Sequence, residues 1–178
     1  MTKTLHDAAP SFDEPIAVLK HCHDRIRKQL ATLQNVAQHV STAGADAEAQ
    51  QAASAVLKYF TQAAPNHHAD EEEDLLPMLG ATASGDDARL LDELTPRILA
   101  EHEHMHAAWL SLVPQLQHIA SDTAAELSTP AVQAFCDAYT AHMELEEAHI
   151  APMAKRLFSA AQMAMLGNAM RQRRGITD

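Results

Sequence analysis

The sequence predicts an all-α fold, an up-down-up-down four-helix bundle with a short fifth helix at the C-terminus. Three observations carry that prediction. Ala, Leu, Gln, Glu and Met abound and only 5 of 178 residues are glycine, so strong helix formers dominate. The Val/Ile/Thr alternation that marks strands is missing. Four long stretches instead repeat apolar residues every three or four positions, separated by short loops. The length suits one domain, and 47% apolar residues suffice for a single core.

Residues 1–13 read as a polar N-terminal arm. Asp13 is placed to cap a first helix, with Pro15 just inside it, running from about 14 to 41. STAGAD (41–46) forms a loop with Gly44 as the stop. A second helix spans about 47–79 and should kink or split at Pro65. After GATASGDD (80–87) a third helix covers about 88–119, with a restart expected at Thr95-Pro96 and a bend at Pro114. Thr129-Pro130 reads as a cap followed by the first helical residue, opening a fourth helix to about 158. These four helices make one unit, 14–158. Residues 159–178 add the short helix, about 160–173, and a tail.

A net charge of −11 disfavours nucleic acid and anionic membrane as partners. No apolar run approaches the ~18 residues of a membrane span. The N-terminal MTKTLHDAAPSF lacks the apolar core of a signal peptide, so a cytoplasmic location is expected. Cys22 and Cys136, the two cysteines, are expected as free thiols.

The chain has 12 histidines, and eight fall in four stretches: 21–23, 67–68, 102–106 and 142. The segment HHADEEEDLLP (67–77) aligns without gaps on HMELEEAHIAP (142–152). Both give His, Glu four residues later, and Pro ten residues after the His. In the first helix the inner stripe is Ile16, Leu19, His23, Ile26, Leu30 and Leu33. In the third it is Leu99, His102, His106, Trp109, Val113 and Leu116, with His104 pointing away. In the fourth it is Phe135, Tyr139, His142, Glu146, His149 and Met153. The second helix allows a stripe through His67 and Glu71 or one through His68 and Glu72; the echo favours the former.

Five inward histidines and two inward glutamates make a poor apolar core and a good metal cage, because a buried ionised carboxylate is costly unless compensated. Imidazole with carboxylate suits iron, manganese or zinc. Seven ligands exceed one tetrahedral zinc and match two metals bridged by two carboxylates. A ferritin-like site would draw on Glu101/His104 and Glu146/His149, but the first helix offers no interior glutamate. Glu72, Glu73 and Asp74 read as a solvated acidic face, with outer-sphere contacts or metal entry as the alternative.

The ordered set His23, His67-x-x-x-Glu71, His102-x-x-x-His106 and His142-x-x-x-Glu146 resembles the hemerythrin family and its bacterial HHE cation-binding relatives, over residues 14–158. CHDRI (22–26) and EEAHIAP (146–152) share that likeness. The resemblance implies two non-haem irons. His102, His106 and His142 would hold one and His23 and His67 the other. Glu71, Glu146 and an oxo or hydroxo oxygen would bridge them, and the two-histidine iron would keep an open position. Oxygen-carrying members use an aspartate five residues after the last His. Here positions 146 and 147 are both glutamate; helical geometry favours Glu146, with Glu147 the runner-up. The longer bridge weighs against stable reversible O2 carriage, not against metal binding. The implied function is binding O2 or a related diatomic for storage, delivery or sensing; the expected partners are O2, NO or peroxide as a small ligand and a redox partner protein. The alternative is a di-iron oxidoreductase or an iron-donating repair protein.

Overall fold

The computed structural model describes residues 10–121 and 126–176, and every regular element among them is helical. The expected arm lies mostly outside the described residues. Helix α1 (Pro15–Ala43) starts with proline at its first position, but Glu14 rather than Asp13 precedes it and no side chain caps it. Asp13 instead accepts a hydrogen bond from the Ser11 hydroxyl. At the far end Gly44, at φ 80°, donates its N–H to the Val40 carbonyl, a left-handed stop that glycine adopts without a Cβ penalty.

The second rod is segmented, as Pro65 requires. Helix α2 (Ala47–Gln62) is capped by the Asp46 carboxylate on the Ala49 N–H. Helix α3 (Ala64–Ala69) follows with Pro65 in its first turn. A π turn (Asp70–Leu75) leads into α4 (Leu76–Thr82). The third rod is one helix, α5 (Asp86–Ala120), with Pro96 and Pro114 inside it. The expected restart at Thr95-Pro96 is therefore absent. Both prolines lie on the solvent face, where the carbonyls they leave unpaired can bond water.

The fourth rod repeats the second. Helix α6 (Thr129–Leu145) is capped by Ser128, one residue before the expected Thr129. A second π turn (Glu146–Ile150) then leads into α7 (Ala151–Leu157). Helix α8 (Ala160–Arg173) opens on a capping box between Ser159 and Gln162.

Helix α1 packs on α2 and α6, and α5 packs on the same two, so the long helices form a ring of neighbours. Two apolar clusters fill the interior. One gathers Leu30, Leu33, Phe60, Trp109, Leu112 and Phe135. The other gathers Leu19, Leu79, Ile98, Ile150, Met153 and Leu166. Between them, within each rod, sit the buried polar residues His23, His67, Glu71, His102, His142 and Glu146. No described helix is long and apolar enough to cross a membrane. Both cysteines are free; Cys136 is buried, its thiol 3.8 Å from the Leu30 carbonyl.

Candidate metal centre

Each rod delivers its polar side chains through a specific register. In α1 the predicted stripe is the observed one, and His23 is buried between Leu19 and Ile26. In α5 the buried positions from Ile98 onward are Ile98, His102, Met105, Trp109, Leu112, Leu116 and Ile119. They step alternately by four and three, the 3.5-residue repeat of helices packed nearly parallel. His102 and Trp109 obey both patterns, but Met105 takes the inner place predicted for His106. His106 is exposed. His104 is exposed as expected; His149 is exposed too, against its predicted place on the inner stripe.

The π turns explain His149. Each closes with an i→i−5 hydrogen bond: Leu76 N–H to the Glu71 carbonyl, and Ala151 N–H to the Glu146 carbonyl. Pro77 and Pro152 stand one residue beyond each bond and donate none. One extra residue per turn moves the inner face on by one, so Ile150 is buried where His149 was expected.

The ligand-type atoms converge on two adjacent points. His23 Nε2 lies 3.2 Å from Glu146 Oε2, and His67 Nε2 lies 3.3 Å from Glu71 Oε1. On the other side, His142 Nε2 lies 3.3 Å from Glu146 Oε1 and His102 Nε2 3.6 Å from Glu71 Oε2. The Nε2 atoms of His102 and His142 are 3.0 Å apart. Two compact donor groups result: His23, His67, Glu71 and Glu146, and His102, His142, Glu71 and Glu146. They share both glutamates. His68 joins His102 and His142 in a third grouping, its ring stacked on His102 at 4.0 Å. Both members of the predicted His67/His68 pair turn inward: His67 groups with His23, Glu71 and Glu146, and His68 with His102 and His142.

The outer nitrogens of three imidazoles meet carboxylates that the sequence left unassigned or placed elsewhere. His23 Nδ1 is 2.9 Å from Glu147 Oε1, which is held by a two-pronged contact with Arg27 at 3.0 Å. His102 Nδ1 is 2.6 Å from Glu72 Oε1, and His142 Nδ1 is 2.9 Å from Glu101 Oε2. Arg97 holds Glu101 at 2.7 Å. Glu147 is thus an outer partner and Glu146 the inner carboxylate. The acidic face is not simply solvated either, since Glu73 and Asp74 bind Arg173. Glu101 had a signal, its place one residue before His102; Glu72 had one too, four residues after His68.

Electrostatics favour ligation. Burial drives His67 well below its ordinary value, helped by His23. Burial and His102 push His68 down to about 3. Burial, then His142, lowers His102. All three imidazoles stay neutral and keep a lone pair. In His142, burial is outweighed by Glu146 and Glu101, and its basicity rises. Burial and the neighbouring Glu146 raise Glu71 well above the carboxylate range. Burial acts the same way on Glu146, but His142 and His23 overcome it and hold it ionised.

Eight buried side-chain polar atoms make no hydrogen bond among the described residues. Seven of them belong to this layer: His23 Nε2, both His67 nitrogens, His68 Nε2, Glu71 Oε2 and both Glu146 oxygens. Folded proteins leave few such atoms unpaired, and a cluster of donor-type atoms aimed at shared points fits metal ions.

Residues 14–154 match the hemerythrin HHE cation binding domain family. The chain belongs to that family. This hemerythrin-family chain is also 28% identical, over 168 residues, to an uncharacterised protein of Haemophilus influenzae, across 94% of each chain. The family match reaches all four rods and includes every residue of the polar layer, so the predicted kinship stands.

Proposed function

We propose that this chain is a non-haem di-iron protein, an up-down-up-down bundle whose site takes O2, NO or peroxide as a small ligand. The observation that carries the reading is the sharing of Glu71 and Glu146 between the two donor groups, one oxygen of each toward either side. One tetrahedral ion would not use both carboxylates in that way. His23 and His67 would hold one iron, and His68, His102 and His142 the other. Two irons there would supply redox chemistry and an open coordination position. The protein's own contribution is positional. Glu147, Glu72 and Glu101 fix the tautomer and tilt of three imidazoles. The apolar clusters flank the layer above and below.

A specific observation favours an oxidoreductase over a carrier. A cavity of about 600 Å³ reaches His23, Glu71 and Glu146, more room than a diatomic needs. Protein expressed with iron should hold two irons per chain by elemental analysis; one ion, or zinc alone, overturns the reading. An anaerobic-to-aerobic optical titration then separates the roles. A spectrum reversed under vacuum supports carriage, and irreversible oxidation supports the enzyme.

A further inference from the structure

The cavity beside the two-histidine group differs in size, lining and charge from what a diatomic requires. Its floor is His23, Glu71 and Glu146, all buried, and its walls are Ile16, Leu19, Leu75 and Ile150. Its rim is exposed and carries Lys20 and Lys155. The chain has five lysines and a net charge of −11, so two lysines at one opening are a local exception. Asp24 and Glu147 also line it, but their charges are answered. Asp24 meets Lys20 at 3.3 Å and Arg27 at 3.3 Å, and Glu147 is held by Arg27. Lys155 has no carboxylate partner among the described residues, which leaves one positive charge at the rim unanswered.

A second opening, about 310 Å³, approaches the layer beside His68 and His102. Its lining includes Glu72, Glu73, Glu103 and His106, with Trp109 and Tyr139. Among these the charged side chains are acidic, the reverse of the lysine rim. One approach thus favours cations, and the other an apolar body with a negative end.

We propose that the 600 Å³ cavity is the binding site for a small organic carboxylate with an apolar tail, held with the tail against Ile16, Leu19, Leu75 and Ile150 and the carboxylate at Lys155 and Lys20. This rests on the di-iron reading, since it names the substrate class that the same centre would meet. The orientation follows from charge. The floor already holds two carboxylates, so a third is better placed at the rim, where an ammonium is free to pair with it. Cavities of this volume enclose molecules much larger than a diatomic, and a mainly apolar lining with a few charged groups fixes such molecules in one direction.

Hexanoate is the probe, titrated calorimetrically into full-length, iron-loaded protein, with acetate and hexylamine as controls. Hexanoate should bind one to one, acetate should bind at least tenfold more weakly, and hexylamine should fail. Lys155→Glu should weaken hexanoate at least tenfold. Ala151→Phe, which fills the cavity from its side, should abolish binding while the iron content stays at two per chain. The proposal is overturned if hexanoate does not bind, if hexylamine binds as well, or if Ala151→Phe and Lys155→Glu bind like wild type. Direct ligation by the carboxylate would show as acetate matching hexanoate, and that also overturns it. Iron content is measured on the same samples. Loss of metal with hexanoate binding intact would count against the di-iron reading, and two irons without hexanoate binding would count against this proposal alone.

Discussion

An imidazole ligates well with one nitrogen when its other nitrogen has a fixed place for the proton, and carboxylates at that outer position raise its basicity. His23, His102 and His142 each have one, in Glu147, Glu72 and Glu101. Glu72→Gln and Glu101→Gln should weaken metal binding by about 10–100-fold, read by chelator competition, with helicity unchanged. Unaltered competition would reduce these carboxylates to surface charge. His67 and His68 show no such carboxylate among the described residues; both His67 nitrogens and His68 Nε2 are unpaired, and one nitrogen of each ring is available to a metal. We expect His67→Ala and His68→Ala each to leave fewer than two irons per chain, and His106→Ala to retain two, because His106 is exposed. Elemental analysis decides, and a full complement in His68→Ala would return the third histidine to His106.

At the scale of the element, the two π turns set the glutamates. Each turn carries its glutamate near its start and a proline just beyond its end, so the echo visible in the sequence is also an echo in the backbone. The first turn has an additional anchor. Asp70, wholly buried and adjacent to Glu71, is clamped by Arg173 at 2.5 Å and by Arg174 at 2.6 Å from the C-terminal run RQRR. Breaking a buried ion pair by removing one partner costs about 3–5 kcal/mol. Arg174→Ala should fall at or below the low end of that range, because Arg173 still faces Asp70. Urea unfolding of the metal-free protein measures it, and Asp70→Asn in the same background should recover part of the loss. Gly167 supports the same docking, since a Cβ there would run into the Phe12 carbonyl. The rods, their order and α8 were legible because periodicity and Gly/Pro punctuation are local signals. The inner stripe of α1 was legible for the same reason. His106 and His149 were misplaced because a 3.5-residue packing repeat and a π turn each shift a helix face by one residue, and both depend on what packs against the helix. The clamp on Asp70 joins residues about a hundred positions apart, so no local pattern announces it.

For the whole molecule, a layer of histidine and glutamate between two apolar clusters makes stability depend on metal and on pH together. An ion that binds the folded chain and not the unfolded one stabilises it by about 2.7 kcal/mol at a hundred times its Kd. Without metal, His67, His68 and His102 are less basic folded than unfolded. The unfolded chain then binds more protons below pH 6.5, the ordinary histidine value, so acid favours unfolding. Glu71 acts in the opposite sense. Its folded value is raised, so its contribution is present below pH 4.5 and is lost as pH rises through the folded value. Glu146, whose folded value is lowered, contributes above pH 4.5 and loses that contribution in acid. His142, whose folded value is also raised, acts with Glu71, so between 4.5 and 6.5 three histidines oppose these two groups, and the metal-free protein should lose stability as pH falls. Metal steepens that loss, because protonated imidazole cannot ligate and Glu71 must give up its proton to bind. The melting-temperature gain from iron or zinc should therefore be large at pH 7.5 and small at pH 5. Glu71→Gln and Glu146→Gln should each remove most of the gain at pH 7.5. Glu73→Gln should keep it, since Glu73 is exposed and pairs with Arg173 rather than with the layer. Melting curves with and without metal at the two pH values test this. An equal gain in wild type and in both layer variants would show that these carboxylates do not hold the ions.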